Sequence, residues 1–222
     1  MFGFKRENKP LVTDVAGISF RNPLGITLSP EKTRDIAPGF FKAGFLSLTP
    51  PSNQVLEWIS ILREIRRKTV LAVNLTRDIP RSFSLVYDFA DIIILDPDHE
   101  NGIDSPSFSD ISDLLDEVVS IRHCYEKYTP VFLRLSQGLT PEELPPMLSK
   151  GRLSGMDGVA VATLPHLKLT LSETQNRLPV ICKAASAPLA AEAIKAGASL
   201  LEAEIRPLQI HSFLKNLEKK PQ

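Results

Sequence analysis

The chain has 222 residues, enough for one sizeable domain with a substantial core. Its 26 basic residues balance 26 acidic ones, which argues against a nucleic-acid or polyanion-binding surface. The opening MFGFKRENKP has no apolar leader, no later segment is long enough to span a bilayer, and Cys124 and Cys182 have no metal or redox spacing, so a soluble cytoplasmic protein with reduced thiols is expected.

Residues 11–21, LVTDVAGISFR, read as a β-hairpin turning near Gly17. Asn22-Pro23 breaks the pairing, and 24–28 reads as a first buried strand. Ser29-Pro30 is a helix start, a serine cap with proline in the first turn, and Ile36, Phe40 and Ala43 mark the inner face of a helix that Gly44 closes. A second strand follows at 45–48. Val55, Trp58, Ile59 and Leu62 form the next helical stripe, with Glu57, Arg63 and Arg66 outside; the basic REIRRK end suits the negative end of the helix dipole. The third strand is 69–75, with Asn74 near its end. A short helix at 79–89 leads to the fourth strand, DIIILD at 91–96. Ile111, Leu114, Leu115 and Val118 define a long helix with an acidic outer side.

The fifth strand is 131–135. Thr140-Pro-Glu-Glu143 matches a capping box with proline at the first helical position. The sixth strand is 158–163, and the connection 164–178 reads as short and weakly helical. A complete strand–helix–strand unit then fills 178–205: Val180, Ile181 and Cys182 form a strand, Ala190, Ala193, Ile194 and Gly197 repeat at helical spacing, and Leu200-Leu201 open the last strand. Ile210, Phe213, Leu214 and Leu217 supply a closing helix.

Eight strands alternate with about eight helices, and no linker or low-complexity stretch interrupts them. A doubly wound open sheet would use fewer strands, so the pattern predicts a single domain over 1–222, a (β/α)8 TIM barrel with a short N-terminal β-hairpin. The chain is shorter than the ~250 residues usual for that fold, so its βα loops must be trimmed.

DVAGISFRNPLGI followed by GFFKAGF resembles the opening of the dihydroorotate dehydrogenases, with hairpin, Asn-Pro, first barrel strand and first helix. LAVNLTRDIP, FADIIILD, VFLRLSQGLTPEEL, MDGVAVA and AIKAGASLLEAEI resemble later segments of the same family, so the likeness runs through nearly the whole chain. The resemblance implies FMN at the top of the barrel and oxidation of dihydroorotate to orotate. It puts Lys32 on a lysine that contacts flavin and substrate, makes Thr27 and Asn74 flavin-binding positions, and sets Arg134 in place of a lysine that supports the flavin. Asp96 stands for an asparagine, and His99, in DPDHEN, falls near the family's serine or cysteine base, with Asn101 on the asparagine that ends that motif. Lys32 and His99 are therefore the candidate catalytic residues. Thr163-Leu164 replaces an Asn-Thr pair, the Gly-rich substrate loop is missing, and the Gly-Gly after the seventh strand has become Ala184-Ala185.

These departures have physical consequences. Glycines let backbone N–H groups approach a phosphate closely and adopt positive φ, a freedom that Ala184 and Ala185 reduce. Glu202 and Glu204 share one parity of the last strand, and both are expected to point into the barrel mouth. There they would meet a bound phosphate with a repulsion of roughly 4 kcal/mol at ~4 Å and an effective dielectric near 20. The cations Lys32, Arg134 and Lys183 and the anions Asp96, Glu202 and Glu204 either converge and neutralise one another or stand solvated at the rim. His99 reads as a general base or as an exposed loop histidine; with Asp96 and Asp98 it invites a metal, but no companion ligand cluster accompanies it and no metal is expected. Two functions stay open. One is a barrel with eroded FMN and orotate sites and no cofactor, acting in regulation, interaction or small-ligand binding at its C-terminal face. The other is an FMN-dependent oxidoreductase of pyrimidine biosynthesis. Neither nucleic acid nor membrane is an expected partner, and the oligomeric state is open, a homodimer being one option.

Overall fold

The hairpin predicted at the start is formed by β1 (Thr13–Val15) and β2 (Ile18–Phe20), which pair antiparallel about Ala16-Gly17. Both turn residues have positive φ, 49° and 81°, the twist a two-residue hairpin needs. The computed structural model describes residues 11–33, 35–98, 108–153 and 155–218. After the hairpin come β3 (Leu24–Leu28), α1 (Pro30–Thr33), β4 (Phe45–Leu48), α2 (Val55–Arg66), β5 (Val70–Leu75) and α3 (Ile79–Val86). They are followed by β6 (Ile92–Leu95), α4 (Phe108–Arg122), β7 (Val131–Arg134), α5 (Leu144–Leu153), β8 (Gly158–Val161) and α6 (Leu164–Glu173). The chain closes with β9 (Val180–Lys183), α7 (Ala187–Ala196), β10 (Leu200–Ala203) and α8 (Pro207–Glu218).

Strands β3 to β10 form a closed parallel barrel, sealed by the pairing of β10 with β3 (Leu201 opposite Leu24, Ala203 opposite Ile26). This is the predicted (β/α)8 barrel. Alternate residues of each strand face the lumen or the helices. Leu24, Ile26, Leu46, Leu48, Leu71 and Val73 join the apolar layer under the helices. Phe45, Ala72, Ile92, Ile94, Phe132, Ala160, Ile181 and Leu200 form a separate core inside the barrel. Val15 and Phe20 of the hairpin belong to this inner core, Phe20 meeting Phe45 edge-on at 5.7 Å between ring centroids. The hairpin is therefore the plug of the N-terminal end.

Large and small residues complement each other in the lumen. A Cβ on Gly25 would fall 2.1 Å from the ring of Phe45, and one on Gly158 would fall 2.2 Å from the ring of Phe132. Each phenylalanine occupies the space that a neighbouring strand vacates by carrying glycine.

Three helices differ from the sequence expectation. The helix expected to run from Pro30 to Ala43 is split into α1 and a 3-10 turn at Pro38–Lys42. Pro38 has no N–H to continue the helix and drives Ala37 to an extended ψ of 133°. The capping box at Thr140 is half made, with Glu143 Oε2 accepting from the Thr140 N–H at 2.8 Å, yet α5 starts only at Leu144. Pro145 and Pro146 cannot donate to the carbonyls four residues back, so the first such bond, at 3.4 Å, runs from Met147 N–H to Glu143 O. By contrast, the weakly predicted connection is a formed helix, α6. Thr163 caps it through an Oγ1 that accepts from the His166 N–H, and positive-φ Gln175 and Asn176 stand just past its end.

Candidate functional site at the barrel mouth

Polar residues appear on the inward parity only toward the C-terminal ends of the strands. Glu202 of β10 is 3% exposed although charged. It is held by a closed cycle of hydrogen bonds across four strands. Ser47 Oγ donates to Glu202 Oε1 at 2.6 Å, and Arg134 Nη2 donates to Glu202 Oε2 at 2.8 Å. Arg134 Nη2 also donates to Asn74 Oδ1 at 2.9 Å, and Asn74 Nδ2 donates back to Ser47 Oγ at 2.7 Å. The second contact of Asn74 Nδ2 is the Leu48 carbonyl at 3.3 Å. Arg134 Nε completes the fork with Asp96 Oδ2 at 3.2 Å.

A buried charge is tolerated when it is paired and its remaining hydrogen-bonding capacity is met. Both conditions hold here. Burial opposes the charge of Arg134. Attraction and hydrogen bonding from Glu202, then attraction from Asp96 and Asp98, outweigh that opposition and hold the guanidinium above its ordinary value. Above the cycle lies a pocket of about 480 Å3 lined by polar and charged groups that include Thr27, Thr49, Asp96, Asp98, Lys183 and Glu202.

The structure thus gathers Thr27, Asn74, Asp96 and Arg134 of the residues singled out from sequence. It separates others. Glu204 does not share the mouth with Glu202: it lies one residue past the end of β10, is exposed, and pairs with Lys183 on the rim at 3.0 Å. Beyond the last ladder bond nothing confines its side chain to the lumen, so the expectation that both glutamates point inward is corrected for Glu204. The converging network is likewise smaller than expected. Arg134, Asp96 and Glu202 meet, Lys183 and Glu204 make a separate solvated pair, and Lys32 faces an adjoining groove. Ala184 is buried, and its N–H bonds the Glu202 carbonyl at 2.7 Å, whereas Ala185 is exposed. Neither has positive φ. His99 and Asn101 lie outside the described residues. Among the described residues no group of three or more His, Cys, Asp or Glu could hold a metal ion, and no helix is long and apolar enough to cross a membrane.

Sequence reasoning missed Ser47, Thr49 and Arg206. Ser47 had a signal: it is the single polar residue of FLSL and shares its strand parity with Phe45. Thr49 and Arg206 lie beyond the ends of β4 and β10, outside the strand pattern, and both line the groove that adjoins the mouth.

With this geometry in view, solved structures supply the comparison. The ligand-free type DHODH from Eimeria tenella superposes with a TM-score of 0.77 at 15% sequence identity, covering 98% of this chain and 88% of that one. The fold is a (β/α)8 barrel similar to that of DHODH. DHODH from the same organism in complex with ferulenol gives a TM-score of 0.72 at 14% identity, covering 98% of this chain and 85% of that chain. No protein-family model and no curated protein sequence matches the chain. At this identity the likeness to DHODH is one of architecture, in a barrel trimmed relative to both structures.

Proposed function

We propose that this chain is a dihydroorotate dehydrogenase-like barrel that has given up FMN and acts by binding, as an interaction, regulatory or small-ligand protein. The observation that carries the reading is the closed cycle of Ser47, Glu202, Arg134 and Asn74. Arg134 and Asn74 are two of the side chains the family resemblance would turn toward a flavin, and here they bind each other, Arg134 also binding the buried Glu202 carboxylate and Asn74 the Ser47 hydroxyl.

The residues of the mouth do not fit FMN. In the loop after β9 the Ala184 N–H is engaged by Glu202 O, the Leu189 N–H by Ser186 Oγ and the Ala190 N–H by Ser186 O, and Pro188 has none, which leaves only Ala185, Ser186 and Ala187 to offer an N–H. No residue from Ala184 to Ala187 has the positive φ that makes a backbone nest for an anion. Charge argues the same way. Among the described lining residues of the pocket, Arg134 and Lys183 face Asp96, Asp98 and Glu202, an excess of one negative charge. A phosphate placed ~4 Å from an unmatched carboxylate meets roughly 4 kcal/mol of repulsion at an effective dielectric near 20.

The competing reading, an FMN-dependent oxidoreductase of pyrimidine biosynthesis, draws on the likeness of fold over 98% of the chain. A flavin titration separates the two. The purified full-length protein is expected to be colourless and to leave the fluorescence of added FMN unquenched. Yellow protein carrying equimolar FMN would overturn the proposal.

A further inference from the structure

Beside the mouth, and sharing Thr27 and Thr49 with it, runs a groove of about 860 Å3 between the β3–α1 and β10–α8 connections. Its apolar wall includes Leu28, Phe40, Ile205 and Pro207. Lys32 and Arg206 also line it, both are exposed, and among the described residues neither side chain has an ion pair or a hydrogen bond. Glu31 precedes Lys32 in sequence but is not part of the lining. The one carboxylate among the described lining residues, Glu204, is matched by Lys183 at 3.0 Å. Among the described residues two cations therefore stand without an ion pair on the wall of an apolar groove, Lys32 feeling Glu31 only from outside the lining, next to a mouth whose described lining is acidic.

Ligand pockets typically combine an apolar body with a few placed polar groups, and a guanidinium and an ammonium lining one groove are matched by a carboxylate or phosphate. We infer that this groove seats a small organic anion, its carboxylate or phosphate held by Lys32 and Arg206 and its apolar body laid on Leu28, Phe40 and Ile205. The inference names the ligand class for the binding role proposed above and rests on that role. The charge of the mouth sharpens it, because an anion is repelled from the mouth's carboxylates and drawn to the groove beside them.

Calorimetric titration of the full-length protein at low salt with octanoate, octyl phosphate and octylamine tests it, with FMN titrated into the same preparation. At least one of the two anions is expected to bind with equimolar stoichiometry, and octylamine is not; which anion binds tells carboxylate from phosphate. The K32Q/R206Q variant is expected to weaken anion binding at least about tenfold, the effect of removing roughly one charge-assisted hydrogen bond. A K195Q/K215Q variant, which makes the same change in net charge on the exposed sides of α7 and α8, is expected to bind like wild type. The groove is refuted if neither anion binds at millimolar concentration, if octylamine binds as well as the anions, or if the two variants behave alike. FMN uptake would overturn the non-flavin reading by itself, whereas failure of both anions without FMN uptake would overturn the groove alone.

Discussion

Replacing Glu202 by Gln removes one charge and little volume from the centre of the barrel mouth. Glu202 accepts from Ser47 at 2.6 Å and from Arg134 at 2.8 Å while only 3% exposed. Gln keeps one carbonyl acceptor, so the bond from Arg134 survives in weaker, neutral form, and its amide NH2 turns the Ser47 hydroxyl from donor to acceptor. Breaking one side of a buried ion pair costs about 3–5 kcal/mol, because the remaining charge stays buried. Arg134 keeps Asp96 at 3.2 Å, and 17% of its side chain reaches solvent. Those two facts place the loss at the low end, about 3 kcal/mol. For a chain of this length each kcal/mol shifts Tm by about 2–4 °C, so Glu202→Gln is expected to melt about 6–12 °C below wild type. Circular dichroism against temperature and a urea midpoint at neutral pH measure it. A cycle with Arg134→Met should show coupling of at least about 1 kcal/mol, since Arg134 loses much of its reason to be buried once Glu202 is neutral. A variant that melts within about 2 °C of wild type, or a cycle with no coupling, would refute the idea that paired charges lock this mouth.

Three further outcomes are expected. Gly25→Ala puts a methyl group 2.1 Å from the Phe45 ring and should cost about 1–3 kcal/mol, and Phe45→Leu in the same chain should recover part of that loss; strictly additive melting shifts would contradict the packing described. Gly44→Ala should be worse and beyond rescue by a side-chain change, because its Cβ would meet the Asn22 carbonyl oxygen at 1.8 Å; a soluble variant with wild-type melting would argue against that close approach. Cys124 is exposed, whereas burial pushes the Cys182 thiol up to about 11 from an ordinary 9.0. A thiol-specific disulfide reagent should therefore titrate one cysteine in the native protein and the second only on unfolding. The unfolded thiol ionises first, so the contribution of Cys182 to stability is whole below pH 9.0 and is lost as pH rises to about 11. A Cys182→Ala variant should show a flatter decline over that range.

The trimmed loops give these observations a common setting. Active sites of this barrel architecture are built from the βα loops at the C-terminal face. In this chain Ser47, Asn74, Arg134 and Glu202 satisfy one another at the strand ends, while Lys32 and Arg206 stand one step outward, on the first and last connections.

Much of the fold was legible in the sequence because its signals are local. Apolar runs bounded by Gly197 or by Ser29-Pro30 mark strands and helices within a dozen residues, and their alternation implies a parallel barrel. Even the split of the first helix had a visible cause in Pro38, and the late start of α5 in Pro145-Pro146, where chemistry at the backbone N–H outranked the hydrophobic period. The barrel and the inward parity of Glu202 were thus determined by sequence alone, while Asn74 and Arg134 were placed near the mouth by their strand-end positions and the family resemblance. Which of those groups would meet was decided only by closure of the barrel. Ser47 reaches Glu202 across 155 residues of chain and Asn74 across 27. Glu204, two residues from Glu202, escapes to the rim because the ladder has ended. Strand periodicity states which face a side chain takes; it carries no information about the side chain across the lumen, and that partner determines whether a buried charge is a binding site or a lock.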